Sequence, residues 1–253
     1  MFRDHMIDDV YLILREDSHK GSQVKYYKDG VWYKINHVGN EALAEYLVSI
    51  VLKHSNITNY VEYDMCYING KLGCKSNNFL VGCERFVSFK ELYKYATGGD
   101  LTNRIQSINS VQDRFNYIVE FIYNLTELDV RDYISNIVAL DMLTLNVDRH
   151  MNNLGIIDCG NGLFRESPIF DNGQSLFQNN SMFVPNDYEN NIIKATSATI
   201  SGNFEQQFLA CKPTLKINYN TLLKELRSLD RSAALSCLLK QLNKYEKIFN
   251  INK

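Results

Sequence analysis

The rhythm of apolar and polar positions changes near residue 88. Before it, short runs rich in β-branched and aromatic residues alternate with turn signals: VYLIL (10–14), SQVKYY (22–27), VWYKIN (31–36), VEYDMCYI (61–68) and NNFLVGCERF (77–86). Such runs predict strands. Asp29-Gly30 between the second and third predicts a two-residue hairpin, since glycine takes a positive φ without strain. Gly70 and Gly73 predict a turn between the last two runs. One helix interrupts the pattern. In NEALAEYLVSIVLKHS, Leu43, Leu47, Ile50, Val51 and His54 recur at helical spacing behind Asn40 as N-cap.

Beyond residue 88 the period becomes helical. FKELYKYATG stops at Gly98-Gly99, and SVQDRFNYIVEFIYNLTEL carries Phe115, Ile118, Val119 and Ile122 on one stripe behind Ser110. RDYISNIVALDMLTLN carries Ile134, Ile137, Val138, Asp141, Met142 and Leu145. A short hairpin follows between 153 and 171, and the tail from about 204 to 250 reads as helices, with FQNNS and YENNI as loops. The expected architecture is α+β and two-lobed: a small β-rich lobe with one long helix over 1–87, then a larger, mainly helical lobe over 88–253.

Composition narrows the class. The chain is 45% apolar and 12% aromatic, enough for a substantial core, and its net charge of −2 with a pI near 6.2 is unlike the basic footprint of a nucleic-acid binder. Six scattered cysteines, without a CxxC pair or histidines at ligand spacing, argue against zinc and against a disulfide framework. They are expected as reduced thiols in the cytoplasm, secretion by a signal-free route being untestable from sequence. No apolar window reaches membrane-spanning length, and acids interrupt the N-terminal apolar run, so neither a span nor a signal peptide is expected.

The chemistry concentrates in LDMLTLNVDRHMNNLGIIDCGNGLFRESPIFDNGQSLF, residues 140–177. Asp148, His150 and Asn153 share one turn, and Asp171 follows the hairpin. Phosphoryl transfer needs a carboxylate to orient an attacking hydroxyl and hard oxygen ligands for Mg²⁺. Asp148 fits the first role, while Asn153 and Asp171 fit the second, Gly173 freeing the backbone beside them. The order matches the D-x-x-x-x-N…D-x-G logic of kinase folds. The competing reading is an Asx-rich connection that caps turns. His150 is expected to brace the loop, and Arg149 to pair with either a phosphate or a neighbouring acid.

A nucleotide would then need partners in the β-rich part. DSHKGSQVKYY offers a Ser/Gly loop between strands, where backbone N–H groups can face phosphate oxygens. Alternation places Trp32, Lys34 and Asn36 on one face, and a mid-strand lysine calls for an anion, with Glu45 preferred over Glu41. The CERF stretch, with Cys83, Glu84, Arg85 and Phe86, is expected at the adenine by position rather than by side chain.

Taken together, these pieces resemble the HipA-like protein kinases, including their shorter CtkA-type members. SHKGSQVKYY resembles the family's S-x-x-G-x-Q-x-K phosphate loop, with Ser18, Gly21, Gln23 and Lys25 in register. WYKI, EYL, CERF, NVDRHMNNLGI and PIFDNGQSL follow in family order, so the likeness covers residues 16–177. It implies that Asp148 is the catalytic aspartate, that Asn153 and Asp171 hold Mg²⁺, and that Lys34 contacts the phosphates of ATP. It further implies serine or threonine on a protein as acceptor, a growth-arresting toxin with a small antitoxin, and Ser18 as an autophosphorylation site. The extra N-terminal subdomain of full-length HipA-like proteins has no counterpart in the motifs, so the resemblance leaves two expectations: a separate small protein supplies it, or this is a minimal member. Two other readings stand beside this one. A phosphoinositide or small-molecule kinase shares the D-R-H-x-x-N loop, but QSLFQNNSMFVPNDYENN lacks the basic residues a phospholipid would want. A catalytically silent nucleotide-binding module would keep the fold and lose one of the four key side chains, yet Lys34, Asp148, Asn153 and Asp171 are all present.

Overall fold

In a computed structural model, residues 2–13 and 23–251 are described. Their strands and helices follow in chain order as β1 (Asp4–His5), β2 (Lys25–Lys28), β3 (Val31–Ile35), α1 (Glu41–Lys53), β4 (Asp64–Ile68), β5 (Lys71–Asn77), β6 (Arg85–Ser88), α2 (Phe89–Thr97), α3 (Leu101–Gln106), α4 (Val111–Thr126) and α5 (Arg131–Thr144). Then come β7 (Gly155–Asp158), β8 (Phe164–Glu166), α6 (Tyr188–Lys194), α7 (Phe204–Cys211), α8 (Tyr219–Leu226) and α9 (Ala233–Phe249). By contacts the chain divides into two compact units. One comprises Met1–Phe79, Asn172–Lys194 and Ile217–Lys253; the other comprises Leu80–Asp171 and Ala195–Lys216.

The first unit is built on a five-stranded sheet of order β1-β4-β5-β3-β2, antiparallel except for β1 against β4. The Asp29-Gly30 hairpin forms as expected, with φ of 50° and 77° at its two central residues. One face of the sheet buries Tyr26, Ile35, Cys66 and Ile68 with Ile7. Helix α1 packs against β4 and β5, and α9 packs on α1. Ile217 bridges both Ser55 and Asn250, which ties the C-terminal helices to the end of α1.

Four local expectations are corrected here. Of the run 10–14, the described residues 10–13 do not form a strand: Asp8 accepts the Val10 N–H at 3.0 Å and turns Asp9–Tyr11 into a 3-10 helix, leaving Leu12 with a single bridge to Tyr26. Asn40 makes no side-chain cap. Asn36 Oδ1 takes the Ala42 N–H at 2.8 Å instead, and the Glu41 carboxylate takes the N–H groups of His37, Val38 and Gly39. Gly73 lies inside strand β5, opposite Ile35 and Cys66, and the turn is Asn69-Gly70. A glycine there marks close backbone approach, because a Cβ would collide with the Lys34 carbonyl of the neighbouring strand. YENNI belongs to α6, whose buried Asn191 brackets Val184, accepting its N–H at 3.1 Å and donating to its carbonyl at 2.7 Å.

The second unit carries α2–α5 and α7 with a three-stranded sheet of order β6-β7-β8. Ser110 caps α4 through Asp113 N, and its predicted stripe of Phe115, Ile118, Val119 and Ile122 is buried. Most of α5 is buried against its neighbours, including α7. Helix α3 was not expected; Asp100 caps it by accepting the Asn103 N–H at 3.1 Å. The 77–86 run splits, with β5 ending at Asn77 and β6 starting at Arg85. All six cysteines are free thiols, and among the described residues no helix is long and apolar enough to cross a membrane.

Candidate active site

Helix α5 ends at Leu145, in the left-handed conformation at φ 56°, and the chain turns back at once. Asn146 accepts the Asp148 N–H at 3.1 Å, and the His150 N–H closes on the Asp148 carbonyl at 2.8 Å. This tight turn leaves the Asp148 side chain 59% exposed. His150 Nε2 stands 3.9 Å from Asp148 Oδ2, at the outer limit of an ion pair, while its own Nδ1 is buried without a hydrogen-bond partner. The His150 carbonyl accepts the Asn153 N–H at 2.9 Å, which fits a residue that shapes the loop.

Asn153 is buried, and its Nδ2 donates to Asp171 Oδ2 at 2.7 Å. Seventeen residues, among them β7 and β8, lie between the two, and the hairpin returns the chain to the turn. Asp171 has φ 61°, a left-handed conformation that a short polar side chain tolerates better than most. The pair offers one carboxylate and one amide. That donor set suits Mg²⁺, which takes hard oxygens and retains several waters. Among the described residues no group of three or more His, Cys, Asp or Glu could form a denser metal site.

Arg149 has the place that sequence alone left open. It is fully buried, and its Nε lies 3.2 Å from Asp141 Oδ2 and 3.3 Å from Oδ1, with Nη2 also 3.3 Å from Oδ1. Nη1 donates to the carbonyls of Phe170 and, at 3.4 Å, Asp171. Its partner is therefore the acid, and it clamps the Asp148 turn to the backbone that carries Asp171. Burial works against the charge of Arg149, but the Asp141 carboxylate outweighs it and holds the guanidinium above its ordinary pKa. Asp141 was legible only as a polar member of an apolar stripe. The signal that could have found the pair is an acid on an otherwise buried helix face, eight residues before a loop arginine.

The other predicted site residues of this unit, Glu84 and Phe86, lie just before and within β6. Glu84 is bound by Arg165, with Nη2 to Oε2 at 2.7 Å and Nε to Oε1 at 3.1 Å, and it accepts the Val81 N–H at 2.9 Å. The Arg165 hydrogen bonds hold its carboxyl well below the usual range, at about 2. Phe86 packs edge-on against Phe170 at 5.3 Å.

In the first unit, Lys34 Nζ meets Glu45 Oε1 at 2.8 Å, and both side chains are buried. Lys34 also donates to the Tyr63 hydroxyl at 3.3 Å. Glu45 Oε2 accepts the N–H of Asn172, the residue after Asp171, at 2.7 Å. Lys25 is directly opposite Lys34 in the β2–β3 register, so the two lysines share a face of the sheet. Nearby in the chain, the buried Oγ of Ser175 and Oε1 of Gln174 have no hydrogen-bond partner, and neither does Gln23 Nε2. Sequence reasoning passed over Ser175, Gln174 and Tyr63. Ser18 and Gly21 lie outside the described residues.

The fold is that of a kinase. The solved structure of the Helicobacter pylori proinflammatory kinase CtkA matches with a TM-score of 0.67, over 98% of this chain and 96% of that one, at 13% sequence identity. The HipA–HipB toxin–antitoxin complex with operator DNA from Shewanella oneidensis MR-1 matches with a TM-score of 0.48 and 10% identity, over 94% of this chain and 63% of that one. No protein-family model matches the sequence, and neither does any curated protein. The likeness to HipA-like kinases read from motifs is thus met by a structural neighbour at the level of fold.

Proposed function

We propose that this protein is an ATP-dependent kinase that transfers a phosphoryl group to a serine or threonine hydroxyl of another protein. The observation that carries the reading is the Asn153–Asp171 contact of 2.7 Å, formed across eighteen residues on the turn that exposes Asp148. Asp148 orients the acceptor hydroxyl and takes its proton as the new bond to the γ-phosphorus forms and the bond to the β–γ bridging oxygen breaks, releasing ADP. Asn153 and Asp171 are the residues that would hold Mg²⁺, which when bound neutralises charge on the phosphates. Lys34, fixed by Glu45, and Lys25 opposite it supply positive charge to the phosphates, with Ser18, Gly21 and Gln23 of the S-x-x-G-x-Q-x-K motif assigned to the same phosphates by the motif resemblance. The unpaired Ser175 and Gln174 oxygens and the Gln23 amide support a polar ligand in that unit. Adenine is assigned to the Glu84–Phe86 backbone. Arg165 already holds the Glu84 carboxylate, so its side chain serves the loop rather than the base.

Purified protein incubated with radiolabelled ATP, Mg²⁺ and protein acceptors tests this. Transfer is expected, with kcat lower by about 10³-fold in Asp148→Asn while ATP binding persists. Asp171→Asn should lose Mg²⁺-dependent nucleotide binding as well as transfer. Label that persists in both variants would overturn the assignment, and ATP binding without any transfer would point to the silent module. The motif resemblance extends the reading to growth arrest. That extension predicts that expression of the active chain, but not of Asp148→Asn, halts bacterial growth.

A further inference from the structure

Within the unit that holds the catalytic turn, a cavity of about 230 Å³ opens between α3 and the 195–203 loop, with Met151 of that turn in its wall. Thr102, Ser197, Thr199 and Ser201 contribute hydroxyl-bearing side chains, and Arg114 contributes a cation. The loop is a built wall. The wholly buried Gln207 donates to Ser197 Oγ at 2.7 Å and accepts the Ile200 N–H at 3.2 Å. Arg114 donates from Nε to the Ile108 carbonyl at 2.7 Å and from Nη1 to the Ile200 carbonyl at 3.2 Å. Both partners are neutral, and they orient the guanidinium plane while leaving donors over. Ser201 Oγ donates to the Asn203 carbonyl at 3.1 Å and Ser197 Oγ to Thr199 Oγ1 at 3.5 Å, so these wall hydroxyls are spent on the loop. The fixed, partly buried guanidinium, with only carbonyl partners, is the group that takes a carboxylate or a phosphate.

We propose that this pocket seats an anionic side chain of the polypeptide acceptor and so selects the sequence around its hydroxyl. The inference rests on the kinase reading above and names the substrate class for the same site. Met151 follows Asp148 by three residues, a reach of at most about 11 Å. An acceptor with its hydroxyl at Asp148 would therefore place the anion roughly two to four residues away. Arg114, not the metal-binding pair, would set that preference.

The test uses the full chain and a set of serine peptides that carry Glu, Gln or phosphoserine at each of those positions. Binding of labelled peptide is measured without nucleotide, and KM is measured with ATP. We expect the best Glu or phosphoserine peptide to bind about tenfold more tightly than its Gln counterpart. That ratio should fall to about one in Arg114→Gln. It should fall likewise in Gln106→Glu, which brings a competing carboxylate to the rim from an exposed helix position and leaves the Arg114 contacts in place. Because each variant is read as a ratio between peptides, a general loss of folded protein cancels. Equal affinity for Glu, Gln and phosphoserine peptides in the unmodified chain would overturn the proposal, as would a ratio that survives in both variants. Preferential binding with no phosphate transfer would uphold the pocket and overturn the kinase reading. Whether the Glu or the phosphoserine peptide binds more tightly decides between carboxylate and phosphate.

Discussion

Arg149 and Asp141 carry more of this site than their exposure advertises, since neither reaches solvent. A buried pair contributes little net stability while intact, but removing one partner strands the other charge at a cost of about 3–5 kcal/mol. Asp141→Asn should therefore lower unfolding free energy by about that much in urea melts. Arg149→Lys should fail to restore transfer, because a lysine cannot fork between Asp141 and the Phe170 and Asp171 carbonyls. Glu84 gives a pH signature. Its folded pKa of about 2 lies below its ordinary 4.5, so it contributes stability that is present above 4.5 and lost as pH falls toward 2. The stability gap between the unmodified chain and Glu84→Gln should be full at pH 6 and vanish on acidification through that window, as followed by melts at stepped pH.

Among the elements, the hairpin β7–β8 does the positioning, for it returns Asp171 to Asn153. Its first residue, Gly155, sits opposite Ser88 of β6, and a Cβ there would come within 2.6 Å of the Phe86 ring. Gly155→Ala should cost about 1–3 kcal/mol by overpacking and reduce transfer, since the shift falls two residues from Asn153. Urea melts and initial rates on the same preparation check both. The helices were the most legible elements, because a buried stripe repeats over three or more turns, as in α4. Short elements were not: α3, α6 and the 3-10 turn at Asp9–Tyr11 are set by single side-chain caps and brackets. Strand β5 was hidden by Gly73, which reads as a turn residue until the carbonyl of Lys34 is seen to occupy the place of its Cβ.

At the scale of the whole molecule, sequence distance and contact part company. The unit that contains Lys34 and Glu45 also contains the last 37 residues, Ile217–Lys253. Ile217 N donates to the Phe249 carbonyl at 2.7 Å, Asn218 N to that of His54 at 2.8 Å, and α9 lies on α1, the helix of Glu45. A chain ending at residue 216 should therefore lose ATP binding, although every motif of residues 16–177 remains. Calorimetric titration with Mg-ATP, beside circular dichroism to follow the loss of packing, checks this. Retained nanomolar or micromolar binding in the truncated chain would contradict it.

By itself the sequence determined the residue types and their order. A lysine in mid-strand, a glutamate in the next helix, and an Asp, Asn and Asp around a hairpin were readable because phosphoryl transfer demands those groups and local periodicity places them. Glu45 was already the preferred partner of Lys34 by its place in the following helix, and the structure pairs the two. The tertiary structure alone decided the other partners. Asp141 rather than a ligand holding Arg149, Arg165 taking Glu84, and Arg114 held by the Ile200 carbonyl are contacts between residues separated by eight to eighty-six positions. No local pattern encodes such pairings, because desolvation makes a charge seek whichever opposite group the packed core brings beside it.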